Sequence, residues 1–501
     1  MILALPEVCF YKFKKRRFKI MKGSTFTINT DLLWICALGI FTLAAAVYMA
    51  THSIYMIILI PAALIIASLL LTYDEPCLAA AIIILPFASS LLLRMQLLPL
   101  PGARIINILL VLLLIGYLLN RKLNFKGFKA GVLFYAGSIT LFIIAILRSG
   151  HVSDYALQFW LEDYQLFKFF LSHGLIPLLI TIPFLMIIGR IRTEEETQRV
   201  AYYLALSVIL LAAAIIGIYI VEVPAGSEFY TTRTIIGFYL GMHGNNLADF
   251  IIVGFPLMLA MAMIPNSRYQ KIFFLGASLA LVAATLIYSR TAYLTILLSI
   301  PAILALTRWN RLIIPFIALL VMVIVLMPGV TERAVTGLEE GEHDIITAGR
   351  IDYIWQPALI ELRERVSTNP MQISFGLGRY GIMDLQAYRN QRMLQTTHAH
   401  NMYLDTMLDI GAAGLLFYIS MIAYVLDGLI KAFYRQKKKG RNSELYITAG
   451  LLVAITSFLV RGASDSFLLP HLTNSYFYTV MAISFVVLNR DTVMQKKERG
   501  E

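Results

Sequence analysis

The chain has 501 residues, of which 59% are hydrophobic and only 14% are charged, and its formal net charge is +12. A soluble protein of this length could not bury so much apolar surface, so the composition excludes a water-soluble globular protein. The positive charge does not indicate nucleic-acid binding, because basic residues between Lys12 and Lys22 gather just before the first apolar run, as in a cytoplasmic anchor.

Apolar runs long enough to cross a bilayer recur from end to end, and inside lipid the backbone of such runs must be helical. The sequence therefore predicts an all-α polytopic integral membrane protein with 12 to 14 transmembrane helices. The lower number applies if two weak segments do not span, since the turn at Tyr73–Pro76 lacks a base and the run at Leu175–Ile188 is short and contains prolines. The predicted spans are 32–50, 54–72, 77–93, 105–119, 130–147, 174–189, 200–221, 247–264, 272–288, 291–306, 312–327, 403–430, 445–460 and 471–488.

The distribution of Lys and Arg places both termini in the cytoplasm and indicates the cytoplasmic (inner) membrane as the location. No cleavable signal is evident, because the first apolar run follows a long basic segment. The predicted organisation is a basic tail at 1–30, spans within 31–327, a large extracytoplasmic loop at 328–402, spans within 403–489 and a basic tail at 490–501.

Two outer segments show helical patterns. Within the large loop, apolar residues from Ile351 to Leu362 recur at helical spacing, which predicts an amphipathic helix kinked at Pro357 and ending before Asn369. The aromatic segment from Arg148 to His173 suits either a helix lying in the membrane interface or a surface helix packed on its own bundle.

Two histidines stand where the long polar loop returns to an apolar segment. His398 and His400, followed by Asn401, form the motif H-A-H-N, and imidazole is the side chain best suited to base catalysis near neutral pH. The pair could also hold a metal with His343 or Asp344, but no carboxylate or thiol spacing reinforces this, so we expect no metal and no cofactor.

Several arginines map to the same outer face. A guanidinium holds phosphate through paired donors, so Arg233, Arg290 and Arg350 could grip a diphosphate without a metal. The alternative is that they reach the lipid headgroups or form internal ion pairs. For Arg461 we favour this alternative, either contact with the headgroups or an internal ion pair, for instance with Asp465.

Three further sequence features allow either a structural or a functional interpretation. The segment Gly376–Gly381 matches G-x-G-x-x-G, but without a strand and helix around it we interpret it as a tight turn rather than a dinucleotide site. Asp405 and Asp409, four residues apart, either orient His400 or cap the following helix. Asn246, at a predicted span start, could contact substrate through its amide.

Together these motifs resemble the O-antigen ligase and O-antigen polymerase superfamily. The motifs that carry the resemblance, in order, are R-x-x-x-G…N-x-L-A from Arg233, S-R-T-A-Y-L at Arg290, G-R-I-D-Y-I-W at Arg350, N-P with F-G-L-G, and H-A-H-N-M-Y-L with G-x-x-G, over roughly residues 230–425. The sequence departs from the family pattern in having two histidines where one would suffice, so His398 could share or take the catalytic role of His400.

The resemblance implies a metal-independent membrane glycosyltransferase. In such enzymes, arginines matching Arg233 and Arg290 hold the diphosphate of a polyprenyl-linked glycan, and a histidine matching His400 activates the acceptor hydroxyl. We favour a polymerase of glycan repeats, with a ligase that uses a lipid or other acceptor as the alternative and a polysaccharide transporter or flippase as the alternative from another class. The expected partners are the lipid-linked donor, the acceptor, the bilayer, a flippase and a chain-length regulator, with no nucleic acid.

Overall fold

A computed structural model of the chain describes residues 74–91, 93–95, 104–120, 123–160, 163–309, 313–326, 349–440, 443–465 and 467–499. Within these ranges the chain is helical and contains no strand, which confirms the predicted all-α class. The predicted spans at 32–50 and 54–72, the N-terminal tail and residues 328–348, which include the possible metal ligands His343 and Asp344, lie outside the described residues.

Nineteen α-helices are present in the described ranges. In chain order they are α1 (Asp74–Ile83), α2 (Ile105–Asn120), α3 (Lys129–Leu147), α4 (Ala156–Trp160), α5 (Leu166–Phe169), α6 (Leu175–Leu179), α7 (Ile182–Arg190), α8 (Glu194–Glu222), α9 (Phe229–Leu240), α10 (Gly244–Ala262), α11 (Gln270–Leu286), α12 (Arg290–Thr307), α13 (Ile313–Leu326), α14 (Gln356–Thr368), α15 (Pro370–Phe375), α16 (Gln386–Arg389), α17 (Met402–Lys439), α18 (Ser443–Gly462) and α19 (Ser475–Arg499).

Seven helical segments in the described part of the chain are long and apolar enough to cross a membrane. They are Lys129–Leu147, Leu166–Arg190, Glu194–Glu222, Gly244–Ala262, Arg290–Thr307, Met402–Lys439 and Ser443–Gly462. The shorter apolar helices Ile105–Leu119 and Gln270–Leu286 also coincide with predicted spans. This pattern confirms a multi-pass membrane protein.

Two predicted spans differ from the observed helices. The span predicted at 77–93 is broken after α1, because Pro86 lies in a short 3-10 helix at Leu85–Phe87 and cannot continue an α-helix ladder. The segment predicted at 174–189 begins already at Leu166, since Leu166, Phe167 and Phe169 extend its apolar run towards the N-terminus.

The centre of the bundle is formed by α10, which packs against α18, α11 and α12. Nearly every residue of α10 is buried, so it touches neighbouring helices rather than lipid on all sides. A separate small core underlies the large loop, where Ile354, Ala358 and Met383 pack with Leu408 from the start of α17. The loop is thereby fixed to the membrane helix that follows the two histidines.

The described part of the loop, from residue 349 onwards, contains the predicted amphipathic helix. A π-helical turn at Ile351–Trp355 leads into α14, whose second residue is Pro357, and Asn369 ends the helix. This confirms both the helix and its end before Asn369–Pro370. A proline in the first turn of an α-helix does not remove a hydrogen bond that the helix needs, so Pro357 marks the start of α14.

The glycine motif of the loop forms the predicted tight turn. Gly376 and Gly378 have φ of +74° and +107°, and Gly376 lies against Gly411, where α17 is interrupted at φ +72°. A Cβ on Gly411 would approach the backbone nitrogen of Gly376 to 2.4 Å, so any side chain there would push the two segments apart. Arg379 follows this turn and is ion-paired with buried Asp409 at 2.8 Å.

Candidate active site

The H-A-H-N segment enters α17 through a constrained turn. The Asp405 Oδ1 accepts the backbone N–H of Ala399 at 2.7 Å, and the indole N–H of Trp355 donates to the Ala399 carbonyl at 2.8 Å. Both backbone groups between the two histidines are therefore held by side chains. His400 itself has a φ of +54°, a conformation that non-glycine residues adopt only where surrounding contacts hold it.

The two histidines are in contact but have different surroundings. Their ring centroids are 3.9 Å apart, and the His398 Nδ1 accepts the backbone N–H of His400 at 3.2 Å. The His398 ring also lies edge-on to Phe467. His398 therefore supports the backbone of His400, while the His400 ring extends towards a carboxylate.

That carboxylate is Asp465, in the turn that follows α18. The His400 Nδ1 lies 3.6 Å from Asp465 Oδ1. The Asn245 amide donates to Asp465 Oδ2 at 2.9 Å, and the Arg461 guanidinium lies 3.4 Å from the same oxygen. The predicted ion pair between Arg461 and Asp465 is thus confirmed, and Asp465 joins the loop histidine to two membrane helices.

Arg233 approaches this centre from α9. Its guanidinium donates to Asn245 Oδ1 at 3.0 Å and lies 3.4 Å from the His243 ring. The His243 side chain caps the N-terminus of α10 by accepting the Asn245 N–H. A Cβ on Gly244 would lie 3.0 Å from the Arg233 Nε, so this position leaves room for the guanidinium.

Arg461 connects the centre to α12. Its guanidinium donates to the Asn245 carbonyl at 3.1 Å, to Asp249 at 2.9 Å and to the Thr291 hydroxyl. Thr291 directly follows Arg290, which is the half-buried first residue of α12. The Arg461 contacts therefore connect the start of α12, where Arg290 lies, to the end of α18 that precedes Asp465.

Arg350 and Asn401 reach the same turn from the loop. The Arg350 guanidinium donates to the Ser464 carbonyl, and the Asn401 amide donates to the neighbouring Ala463 carbonyl at 3.2 Å. The Asn401 side-chain oxygen also accepts the N–H groups of Tyr403 and Leu404, so it caps α17 as Asx residues do. The loop and α18 are thus joined next to Asp465.

Burial first, and neighbouring charges second, shift the pKa of three groups in this centre. Burial and the charge of Arg233 lower the pKa of His243 to about 4, and burial and the charge of His400 lower the pKa of His398 to about 3. Burial raises the pKa of the Asp465 carboxyl, but the charge of Arg461 and the facing imidazole of His400 together hold it well below its usual range. A positive field around an ionised carboxylate and neutral histidines favours an anionic ligand.

A metal ion is the other ligand that this geometry suggests. His398, His400 and Asp465 each offer one ligand atom, and these atoms lie within 4.8 Å of one another. The His398 Nδ1 accepts the N–H of His400, however, and Asp465 accepts from Asn245 and pairs with Arg461. To bind a cation, His398 and Asp465 would have to give up these hydrogen bonds and this ion pair, and the nearby positive charge would repel the cation. The residues therefore fit an anion better than a cation.

The structure brings most of the predicted residues to one place. Arg233, Arg350, His398, His400 and Asn401 surround Asp465 directly or through one residue, and Arg290 lies on the adjoining helix start. Asp405 acts on the backbone at Ala399. Asn246 lies in the first turn of α10, but the asparagine that joins the network is its neighbour Asn245.

Sequence reasoning missed Asp465 as a partner of His400, and it missed His243 and Asn245. Asp465 was considered only as a partner for Arg461, because 65 residues of chain separate it from the histidine motif. The available signal was the cluster R-G-A-S-D at the predicted end of a span, where an arginine and an aspartate four residues apart occur at membrane depth.

Comparison with known families gives one match. Residues 275–419 match the family model described as O-Antigen ligase, a segment that includes Arg290, Arg350 and both loop histidines but not Arg233 or Asp465. A comparison with curated proteins found no match. The family match confirms the resemblance predicted from the motifs and supports the O-antigen ligase and polymerase superfamily for this membrane protein.

Proposed function

We propose that this protein is a metal-independent glycosyltransferase that polymerises polyprenyl-diphosphate-linked glycan repeats on the outer face of the cytoplasmic membrane. The observation that carries the proposal is the pairing of His400 with Asp465 at the meeting point of Arg233, Arg350 and the start of α12. A base beside fixed cations is what the transfer of a sugar from a diphosphate requires.

In this reaction His400 is the general base. Asp465 faces the His400 Nδ1, which leaves Nε2 as the nitrogen that takes the proton of the acceptor hydroxyl. The acceptor oxygen bonds to the anomeric carbon of the donor sugar as the bond from that carbon to the diphosphate oxygen breaks. His398 positions the base, because its Nδ1 holds the His400 N–H.

Arg233, Arg290 and Arg350 stabilise the leaving diphosphate. Negative charge grows on the diphosphate as the glycosidic bond breaks, and guanidinium groups already held in place stabilise that charge without reorganisation. Burial and, after it, the charge of Arg233 lower the pKa of His243 to about 4, and the contribution of Arg233 supports this role. Asn401, Asp405 and Asn246 complete the proposed site as supporting residues.

The second candidate is a ligase that transfers the finished glycan to a lipid or other acceptor. It is favoured by the description of the matching family model, O-Antigen ligase. Polymerase and ligase share the same donor and base and differ in the acceptor. For both candidates we propose that the termini lie in the cytoplasm and that a flippase supplies the donor. A polymerase would also work with a chain-length regulator.

The test is glycan assembly in cells that lack their own copy, complemented with wild type, His400→Ala or Arg290→Ala at equal membrane levels. Arg392→Ala is the matched control, because Arg392 is an exposed arginine of the same loop. We expect the two site variants to abolish transfer while lipid-linked repeats accumulate on the outer leaflet, and the control to behave as wild type.

The pattern of products separates the candidates. Loss of the whole ladder of glycan lengths with single repeats retained indicates a polymerase, and loss of attachment with long lipid-linked glycans retained indicates a ligase. Wild-type behaviour of both site variants would refute the enzymatic proposal, and precursor trapped on the inner leaflet would point to the transporter.

A further inference from the structure

Phe467 is a buried aromatic residue whose ring contacts polar side chains. It is only 6% exposed, yet among the described residues it belongs neither to the core of the helix bundle nor to the small core of the loop. Its ring centroid lies 5.2 Å from that of His398 and 4.1 Å from that of His471, and the Arg379 guanidinium lies over the ring at 5.2 Å. A buried phenylalanine usually serves apolar packing, whereas this one joins polar groups from separate segments.

The backbone around Phe467 is held by residues at and just before the start of α19. The buried Asn474 amide donates to the Phe467 carbonyl at 2.6 Å and to the Leu469 carbonyl at 2.7 Å. The Tyr478 hydroxyl donates to the carbonyl of Leu468, between them, at 3.1 Å. Buried carbonyls outside regular helices need such donors, and here three successive carbonyls have them. The segment that carries the Phe467 ring is therefore fixed.

The Arg379 guanidinium that lies over the ring is also fixed. It pairs with the buried carboxylate of Asp409 at 2.8 Å, and the Arg379 backbone N–H donates to the Ala145 carbonyl at 2.7 Å. A guanidinium placed over an aromatic face attracts the ring electrostatically. The backbone and the ring of Phe467 are thus held by two different parts of the molecule, α19 and the loop.

We propose that Phe467 is a positioning residue for transfer and that its ring acts through His398. The inference rests on the proposed function. The His398 Nδ1 accepts the His400 N–H at 3.2 Å, and His400 has a φ of +54°, which surrounding contacts must maintain. A shift of the His398 imidazole would release the backbone that carries the proposed base. The ring of Phe467 prevents that shift.

The variant Phe467→Leu tests this role. Leucine keeps an apolar side chain and the backbone hydrogen bonds, but it has no ring to contact His398. Phe477→Leu is the matched control, because Phe477 is a fully buried residue of α19 whose ring stacks on Phe458 at 4.1 Å. Each variant removes one buried ring, so both should lower the melting temperature. Phe467→Met, which has an unbranched and more adaptable side chain, is measured in parallel in case Phe467→Leu does not fold.

Kinetics of transfer with purified protein separate positioning from stability. We expect Phe467→Leu and Phe467→Met to lower kcat about fivefold, the order of one ring–ring contact. The KM for the donor should stay near wild type, because the change moves the base and removes no group proposed to bind the diphosphate. Phe477→Leu should keep the kcat of wild type. An unchanged kcat in the Phe467 variants, or an equal loss in Phe477→Leu, overturns the proposal.

The His398→Asn background tests whether the ring acts through His398. Asparagine can accept the His400 N–H, but it has no ring to contact Phe467. Adding Phe467→Leu in this background should lower kcat by less than about twofold, because residues that act through one contact do not have additive effects. A further loss of about fivefold would mean that Phe467 acts by another route, and it would overturn the proposal.

A chemical measurement separates this inference from the proposed function. Modification of histidines by diethyl pyrocarbonate is followed by mass spectrometry in wild type, Phe467→Leu and Phe477→Leu, and it requires no transfer. We expect the rate at His398 to rise about fivefold in Phe467→Leu alone, since the ring no longer holds the imidazole. No rise overturns the inference, whatever the activity of His400→Ala.

The combined outcomes show which proposal fails. A rise in the modification of His398, with transfer retained in His400→Ala, supports the contact between the ring and His398 and refutes the catalytic assignment of His400. Loss of transfer in His400→Ala, with normal kcat in Phe467→Leu, overturns the role of Phe467 and leaves the proposed function standing.

Discussion

Helix α18 carries a buried charge at each end, and the two ends are built differently. Glu444 lies in its first turn and Arg461 in its last, about 26 Å apart along the helix. Both side chains are buried, and both have partners on other helices. At the Glu444 end the buried charges connect helices, whereas at the Arg461 end a buried carboxylate also faces a histidine of the loop.

At the Glu444 end, charges pair closely. The Arg490 guanidinium donates to Glu444 at 3.0 Å and to the Thr197 hydroxyl at 2.9 Å, and Arg435 of α17 pairs with Asp491 of α19. These contacts join α8, α17, α18 and α19. Each guanidinium has a carboxylate within hydrogen-bond distance, as expected where ionic groups are kept for structure.

At the Arg461 end, one carboxylate is shared. Asp465 accepts from Asn245, pairs with Arg461 and faces His400, whose Nδ1 at 3.6 Å is just beyond hydrogen-bond distance. Burial and, after it, neighbouring positive charges lower the pKa of His243 and His398 here. The difference teaches that buried charge alone does not mark a site. The Arg461 end differs in that its carboxylate also faces a partly exposed imidazole, which is why we propose the site there.

The largest effect is expected from Asp465→Asn. The neutral amide lacks the negative charge that stabilises the His400 imidazolium formed during transfer. We therefore expect kcat to fall about 100-fold or more. The measurement is single-turnover transfer with purified protein. Arg461 keeps Asp249 as a carboxylate partner, so the variant should remain folded. A loss of less than about threefold, which is smaller than general-base catalysis contributes, would exclude Asp465 from orienting the base.

The corresponding change at the other end, Glu444→Gln, should affect stability instead. Removing the carboxylate leaves Arg490 buried without its closest charged partner, which costs about 3 kcal/mol in comparable buried pairs. We expect a lower melting temperature in detergent and near-normal kcat in the protein that stays folded. If Glu444→Gln instead lowers kcat as strongly as Asp465→Asn, the contrast between the two ends is wrong.

A smaller loss is expected from Asp405→Ala, which removes the acceptor for the Ala399 N–H. Without this hydrogen bond the backbone of the histidine motif is less well fixed. We expect kcat to fall about tenfold, which corresponds to the free energy of about one buried hydrogen bond. Asp405→Asn keeps an oxygen at this position and serves as the control, with kcat close to wild type. Equal losses in both variants would mean that the negative charge of Asp405, and not its position, matters.

The smallest effect on activity is expected at His398, whose contribution is to stability in acid. His398 has a pKa of about 3 in the folded protein, against 6.5 for an ordinary histidine, so below pH 6.5 the unfolded chain binds a proton that the folded chain does not. Stability should therefore fall as pH drops from 6.5 towards 3, by up to about 1.4 kcal/mol per pH unit from this group. Melting temperatures of wild type and His398→Asn between pH 4 and 7 measure it.

The asparagine variant of His398 can still accept the His400 N–H but does not titrate. Its melting temperature should depend less on pH over this window, and its kcat near neutral pH should stay within a few-fold of wild type, as expected when a hydrogen bond is replaced. If His398→Asn abolishes transfer as His400→Ala is expected to do, then His398 and not only His400 takes part in proton transfer.

The sequence alone determined the class of this protein. Apolar runs of membrane-spanning length require helices, because lipid offers the backbone no other hydrogen-bond partner. Local signals placed the helix ending at Asn369 and the turn at Gly376–Gly381. The order of motifs around Arg290, Arg350 and His400 was sufficient for the superfamily, which the match at 275–419 supports.

Only the tertiary structure decided which residues meet. Asp465 and Asn245 are 220 residues apart, and they contact each other because α10 and α18 pack side by side at the bundle centre. The sequence favoured Asn246 over Asn245, since periodicity does not fix which of two adjacent side chains in a first helical turn faces a neighbour. The different surroundings of His398 and His400 likewise arise from the turn held by Asp405 and Trp355. Composition and local pattern set what a segment can be, whereas packing of distant helices sets the distances on which proton transfer and anion binding depend.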